Sequence, residues 1–186
     1  EEAKAQLFVS DLNASPKKNP FAIINGDDPA GERLCTRLAR ECPRIKLVVY
    51  SAHKRPYANA LIADLCATQI GVSCVITIDD REISIKSPSI GTHSAHNLVS
   101  AGLVLNELGF DAREISSVLA EVPPVPGRLE YIEGGPVPVY VDYAHKPDAL
   151  EKILEFLKPL VPNGRLICVF GCGGDRDTGK RAIMGE

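Results

Sequence analysis

The sequence has no long run of uncharged apolar residues, no surplus of positive charge and no paired cysteine motif. No stretch approaches the ~18 apolar residues of a membrane-spanning helix, and no charged, then apolar leader opens the chain. A net charge of −3 favours neither nucleic acid nor an anionic membrane as a partner. The six cysteines lack C-x-x-C spacing, as free thiols of a reducing compartment would. We expect a cytoplasmic protein, without nucleic-acid or membrane partners, that acts as a monomer.

The residues that are present, 45% of them apolar in a chain of 186, are enough to build a buried core. Residues 21–24 and 45–50 predict two strands on either side of a helix that Asp28 would cap, an order typical of a parallel sheet. Residues 75–78 and 82–86 predict an antiparallel hairpin. The first part of the chain is therefore predicted to be α/β, with a small antiparallel element.

Three prolines between residues 122 and 126 predict a stiff linker. Before it, helices are predicted at residues 95–108 and, after an N-cap at Asp111, up to Glu121. We place a domain boundary at the linker, giving domains 1–124 and 125–186. Beyond it the patterns predict strands at 129–132, 137–142 and 165–170 and a helix at 147–160.

The segment FGCGGDRDTGKR, residues 170–181, follows an apolar run and fits the G-x-x-x-x-G-K spacing of a phosphate-binding loop. However, Arg181 stands where that loop needs a Ser or Thr hydroxyl for magnesium. Asp175 and Asp177 would also repel the phosphates that backbone amides attract. We therefore reject a phosphate-loop interpretation of this segment.

Two polar side chains follow the predicted strand at 137–142, in the segment VDYAHKPDAL. Asp142 ends the strand and His145 lies in the turn before a helix, where open α/β sheets commonly bind ligands. The alternative is structural: Asp142 caps a turn and His145 packs locally. Pattern alone does not separate these two interpretations.

The segments GTHSAHN (91–97) and VPGRLE (125–130) carry the other candidates. The first places polar groups at a helix N-terminus, which attracts anions, although capping by Thr92 or Ser94 is the better explanation from the pattern alone. In the second, Arg128 follows the stiff linker, where its planar guanidinium suits a phosphate between domains. Taken singly, most such arginines are only solvated.

Together these segments resemble the Mur ligase family. The most specific matches are VPGRLE, VDYAHKPDALEKIL and VFGCGGDRDTGKR, in that order, with AKAQLF, IINGDD and GTHSAHN in support. The resemblance implies an ATPase-domain portion followed by the start of a Rossmann-like C-terminal domain. It also implies an ATP-dependent amide ligase that adds the third amino acid, diaminopimelate or lysine, to UDP-N-acetylmuramoyl-dipeptide in peptidoglycan synthesis, through an acyl phosphate.

The resemblance implies a nucleotide site in this part of the chain, with ATP as cofactor. Asn97 matches an asparagine on the adenine side, Arg128 an arginine that contacts the phosphates, and Asp142 the aspartate that binds the ribose. His145 matches a neighbouring histidine of the nucleotide site, with a catalytic role.

Two further roles come from the same resemblance. Lys4 matches a lysine that is carbamylated and holds magnesium, the second implied cofactor, although spacing alone makes it only a polar residue of an amphipathic helix. Arg176 matches an arginine that pairs with the carboxylate of the incoming amino acid.

The sequence departs from the family pattern in two ways. Ser94 replaces the first asparagine of G-x-[HF]-N-x-x-N, which shortens or removes one contact to the base. Neither a G-x-x-x-x-G-K-[ST] loop nor the D-N-P-R segment occurs in the sequence. We therefore expect a fragment that does not turn over alone. The alternatives are a folylpolyglutamate or cyanophycin synthetase and a noncatalytic nucleotide-binding module.

Overall fold

The computed structural model describes residues 2–174 and 177–186 and contains a five-stranded mixed sheet. Its strands are β1 (Phe21–Asn25), β2 (Lys46–Ser51), β3 (Ala60–Thr68), β4 (Gly71–Ile78) and β5 (Arg81–Ser87). They lie in the order β1-β2-β3-β4-β5, parallel from β1 to β3 and antiparallel from β3 to β5. The predicted parallel pair and hairpin are confirmed, whereas β3 was not predicted.

Helices cover the sheet and continue beyond it. They are α1 (Glu2–Gln6), which runs into a π-helical turn (Leu7–Leu12), α2 (Pro29–Glu41), α3 (Thr92–Glu107), α4 (Ala112–Glu121), α5 (Pro147–Leu157), which runs into a 3-10 turn (Lys158–Leu160), and α6 (Lys180–Gly185). Both predicted caps are confirmed: Asp28 accepts the Ala30 N–H, and Asp111 forms a capping box with Glu114. None of the helices in the described ranges is long and apolar enough to cross a bilayer.

Alternate residues of β2 supply two separate cores, because successive side chains of a strand point to opposite faces. Val48 and Tyr50 pack with α3 and α4 on one face, in the larger core. Val49 and the partly buried Leu47 pack with α2 and the turn after α1 on the other. The parallel strands are thus covered on both faces.

The chain beyond the linker buries fewer side chains than the part before it. Strands β6 (Glu130–Ile132) and β7 (Val139–Val141) form an antiparallel pair, and α5 packs near them. The strand predicted at 165–170 is wrong: the segment pairs with no strand of the described residues, and Ile167 and Val169 are 72% and 93% exposed. An apolar run forms a strand only where a neighbour completes its hydrogen bonds.

Candidate functional site

A cleft of about 230 Å³ lies between the first half of α3 and the linker before β6. Asn97 and Arg128 both line it, together with His93 and the linker residues 122–125. The Asn97 amide offers a donor and an acceptor, and the Arg128 guanidinium offers positive charge and several N–H donors. Two of the residues implied by the resemblance are therefore brought to one cleft.

Tyr143 connects Arg128 to His145. The Arg128 guanidinium carbon lies 5.6 Å from the centre of the Tyr143 ring, and the His145 ring meets Tyr143 edge-on at 5.3 Å. His145 Nδ1 lies 3.1 Å from the Tyr143 carbonyl oxygen, so Nδ1 donates and Nε2 of a neutral ring accepts. The predicted His145 thus lies on the same surface as Arg128. Tyr143 is 69% exposed, and no sequence pattern distinguished it from a solvated side chain.

The Asp142 carboxylate is engaged with backbone groups, one of them in the residue after Arg128. Its Oδ2 accepts the Leu129 N–H at 2.8 Å, and its Oδ1 accepts the Ala144 N–H at 2.7 Å. The structural interpretation, a capped turn, is therefore confirmed. Each oxygen of an ionised carboxylate has a second lone pair, so these bonds leave acceptor capacity for a ligand.

His93 also lines the cleft, although the sequence analysis did not select it. Partial burial lowers its pKa, the Asp142 carboxylate opposes this, and the positive charge of Arg128 reinforces it. The net lowering favours a neutral imidazole at pH 7. The signal for His93 was its place at the [HF] position of the family pattern.

The start of α3 differs from the capping prediction. Gly91, with φ +89°, occupies the N-cap position, and no side chain of the described residues caps the helix there. The Ser94 hydroxyl instead donates to the Ile90 carbonyl oxygen at 2.7 Å, because a serine within the first turn reaches back four residues more easily than it reaches a free amide. Capping by Thr92 or Ser94 was therefore wrong.

Lys4 lies in a different cleft, of about 690 Å³, between α1, β1 and the start of α2. Its neighbours there include Glu2, which pairs with Arg37, and Asp28, which caps α2. The described residues form no group of three His, Cys, Asp or Glu side chains that would hold a metal ion.

Arg176 lies outside the described residues. Further along the chain, the Lys180 ammonium donates to the His145 carbonyl oxygen at 2.9 Å, and Arg181 donates to the Gly174 carbonyl oxygen at 2.8 Å. The glycine-rich segment is thus tied at one end to the turn that carries His145.

A second polar cluster lies at the carboxyl ends of β1 and β2. Asp27 accepts the Ser51 hydroxyl at 2.6 Å and the Ala52 N–H at 2.7 Å. Burial raises the pKa of Asp27, but these two hydrogen bonds and the charge of His53 outweigh it, so the net pKa is lowered. The cluster fixes the loop ends beside α3.

Comparisons with known proteins agree with this architecture. The Mur ligase middle domain matches residues 1–105, and the Mur ligase glutamate ligase domain matches residues 127–186. UDP-N-acetylmuramoyl-L-alanyl-D-glutamate–2,6-diaminopimelate ligase of Trichormus variabilis is 42% identical over 188 residues, which cover 99% of this chain and 36% of that protein.

Solved structures give the same result. A UDP-N-acetylmuramoyl-L-alanyl-D-glutamate–2,6-diaminopimelate ligase superposes with a TM-score of 0.65 at 32% identity, over 99% of this chain and 36% of the other. A Mycobacterium tuberculosis folylpolyglutamate synthase, 21% identical, has a TM-score of 0.65 over 83% of this chain and 34% of the other, and shows the fold alone. The chain thus spans about a third of the length of the proteins that it matches. Because a family domain matches more than half of its residues, the chain belongs to the Mur ligase family.

Proposed function

We propose that the protein carrying this chain is an ATP-dependent ligase that adds diaminopimelate or lysine to UDP-N-acetylmuramoyl-L-alanyl-D-glutamate in peptidoglycan synthesis. The substrate carboxylate takes the terminal phosphoryl group of ATP and ADP leaves. The amine of the amino acid then attacks the acyl carbon, loses a proton and displaces phosphate. Such chemistry depends chiefly on positioning and on neutralising charge.

The observation that carries the proposal is the shared cleft of Asn97 and Arg128. An amide on the edge of a base and a guanidinium on phosphates are the contacts that a nucleoside triphosphate requires. The Arg128 guanidinium and the His145 ring both contact the Tyr143 ring, and Asp142 accepts the N–H of Leu129, the residue after Arg128. We assign Asn97 to the base, Asp142 to the ribose, Arg128 to the phosphates and His145 to the same site.

The test uses the full-length polypeptide that carries this sequence and measures ADP release with and without UDP-muramoyl-dipeptide, with diaminopimelate or lysine. We expect release to require the dipeptide and one of the two amino acids. Arg128→Ala should raise the KM for ATP by about tenfold or more, since it removes a charge-assisted contact. Arg113→Ala, an exposed arginine of α4, is the matched control and should leave KM unchanged. ADP release that ignores the dipeptide would contradict ligase chemistry.

Two other functions make different predictions in the same assay. A folylpolyglutamate or cyanophycin synthetase would release ADP with a folate or a polyaspartate acceptor in place of the muramoyl dipeptide. A noncatalytic module would bind nucleotide without releasing ADP. The 42% identity to a diaminopimelate ligase, against 21% to a folylpolyglutamate synthase, favours the muramoyl substrate.

The amino-acid side of the site rests on Arg176. If its guanidinium pairs with the carboxylate of the incoming amino acid, Arg176→Ala raises the KM for that amino acid far more than the KM for ATP. Equal effects on both constants would remove this assignment. Lys180→Ala serves as a comparison, because its ammonium bonds a backbone carbonyl of the neighbouring turn.

Lys4 is the proposed magnesium-side residue, as a carbamate. Carbamylation would turn its ammonium into an oxygen ligand, the kind that magnesium prefers. We expect Lys4→Ala to lose activity and a short carboxylic acid to restore part of it. Unchanged activity would contradict this role. The remaining proposals are a cytoplasmic location, supported by the six free cysteines, and a monomeric state.

A further inference from the structure

Leu129, directly after Arg128, has an unusual backbone conformation. Its φ is +47°, in the left-handed region that branched or bulky residues rarely adopt. Such a conformation persists only where surrounding contacts hold it. The contacts that hold Leu129 therefore also determine where the backbone of Arg128 lies.

Two carboxylates hold the turn around Leu129. Asp142, at the end of β7, accepts the Leu129 N–H at 2.8 Å, and Glu130 accepts the Gly127 N–H at 2.7 Å. The Gly127 carbonyl oxygen in turn accepts the Tyr143 N–H at 2.9 Å. Backbone groups on both sides of Arg128 are thus fixed to the segment that follows β7.

The Leu129 side chain fills a small apolar pocket that residues before and after the linker form together. It is 2% exposed and packs with Ile90, before α3, and Leu157, in α5. Gly91 makes room for Leu129 and also for His93, since a Cβ at that position would lie 2.8 Å from Leu129 Cδ1 and 2.8 Å from His93 Cε1. The position of the Leu129 side chain therefore depends on the absence of a side chain at Gly91.

We propose that Leu129 is a positioning residue. Its side chain packs against Gly91 and its amide is held by Asp142, and together these contacts fix the Arg128 backbone so that the guanidinium reaches the cleft beside α3. The inference rests on the proposed function, because it assumes that Arg128 binds nucleotide phosphates. It assigns Gly91 and Leu129, which touch no proposed ligand, an effect on ATP affinity. It also gives Asp142 a second role, on the Leu129 amide.

The experiment compares Gly91→Ala with Gly109→Ala in the full-length polypeptide. Both glycines have positive φ, +89° and +94°, so both substitutions strain the backbone. Gly91→Ala crowds Leu129 and His93 alike, whereas no atom of the described residues lies within 4 Å of a Cβ at Gly109. Asp142→Asn is a second test variant: it needs no extra space, removes the negative charge and leaves a single acceptor oxygen for the two amides of Leu129 and Ala144.

Two readouts are measured: hydrogen exchange of the Leu129 amide, and the kinetic constants for ATP. Gly91→Ala and Asp142→Asn should speed exchange by about tenfold or more, as expected when a protecting hydrogen bond opens more often. Gly91→Ala should also raise the KM for ATP by about tenfold, with kcat at saturating ATP within about twofold of wild type. Gly109→Ala should match wild type in both readouts.

Equal exchange of the Leu129 amide in Gly91→Ala and Gly109→Ala would overturn the inference, because a raised KM for ATP in Gly91→Ala would then come from the crowded His93 and not from Leu129. Unchanged exchange in Asp142→Asn would overturn the part assigned to Asp142. Faster exchange with an unchanged KM for ATP would also overturn it, since Leu129 would then not position a nucleotide contact. Absence of dipeptide-dependent ADP release in the wild type would overturn the proposed function alone. The exchange measurement needs no turnover and would still test the turn.

Discussion

The two parts of the chain on either side of the linker differ in how they are held together. Residues 21–121 enclose a large core in which Ile76, Val99 and Leu103 are 0% exposed. Residues 127–186 contribute two residues, Leu129 and Leu157, to a core of three buried side chains, and leave Ile167 and Val169 largely exposed. The cleft takes Asn97 from the first part and Arg128 from the second. The wall of the cleft that carries Asn97 thus belongs to a large core, and the wall that carries Arg128 belongs to a small one.

Truncation of buried side chains tests this difference most strongly. Ile76→Ala should lower the free energy of unfolding by about 3–4 kcal/mol, because the densely packed core around it cannot close the cavity. Leu157→Ala should cost less, about 2 kcal/mol, because its partly solvated neighbours can relax into the space. Urea unfolding measures both values, and hydrogen exchange locates them. We expect faster hydrogen exchange throughout the sheet in Ile76→Ala and only beyond the linker in Leu157→Ala. Faster exchange over the same residues in both variants would contradict a difference between the two parts.

The same difference explains which elements could be predicted from the sequence. The strands β1 and β2 and the helix capped by Asp28 were predicted correctly, because their apolar periods and turn residues are local signals. β3 was missed because a register shift between Ala63 and Cys66, with Asp64 at φ +53°, interrupts its alternation. The strand predicted at 165–170 was wrong because an apolar run cannot reveal whether a partner strand lies beside it.

The site residues that belong to a family motif could be predicted from the sequence. The features of the site that arise from tertiary packing could not. The resemblance selected Asn97 and Arg128, which the structure brings to one cleft. No sequence pattern indicated that Leu129 would adopt a left-handed conformation or that Gly91 would receive its side chain. Both features exist only because distant segments meet, which a local pattern does not encode.

The next largest effect concerns how the loops of the two parts are held. Asp27→Ala should cost about 1–3 kcal/mol, since it leaves the largely buried Ser51 hydroxyl and Ala52 N–H without their charged acceptor. Lys180→Ala, which removes an exposed bond to the His145 carbonyl, should cost at most about 0.5 kcal/mol. Urea unfolding at pH 7 measures both; similar losses would mean that the two loops are held alike.

The pH dependence of the Asp27 variant follows from its lowered pKa. In the folded protein this carboxyl stays ionised below its ordinary pKa of 3.8, so its contribution is complete above that value. The contribution is lost as the pH falls from 3.8 through the folded pKa. The difference in stability between wild type and Asp27→Ala should therefore narrow in this acidic window. A constant difference would indicate that the carboxylate charge is not involved.

Helix caps offer a smaller and more local comparison. Asp111 begins α4 with a capping box, whereas Lys146 precedes α5 without a side-chain cap. Asp111→Ala should lower the free energy of unfolding by about 1 kcal/mol, and Lys146→Asp should raise it by about 0.5 kcal/mol by supplying the missing acceptor. Thermal unfolding followed by circular dichroism measures both changes. Loss of stability in Lys146→Asp would show that its N-terminus is satisfied in another way.

The smallest expected effect concerns His96 in α3. Its ring stacks on Tyr50, a member of the large core, with 6.0 Å between the ring centres. Burial lowers its pKa, the Asp27 charge opposes this, and the charges of His53 and Lys152 reinforce it. Because the unfolded chain then binds a proton more readily, His96 lowers stability as the pH falls below 6.5 and has no such effect above it.

His96→Leu should remove that contribution while keeping an apolar side chain against Tyr50. Its buried Nδ1 has no hydrogen-bond partner among the described residues, so the substitution breaks no bond at that atom. We expect stability at pH 8 within about 1 kcal/mol of wild type, as for an apolar replacement of similar size. Between pH 6.5 and 5 the variant should lose stability less steeply than wild type, by up to about 1.4 kcal/mol per pH unit for one proton. If stability falls equally steeply with pH in wild type and His96→Leu, His96 protonates as readily in the folded protein as in the unfolded chain. Burial beside Tyr50 would then not disfavour the charged imidazole.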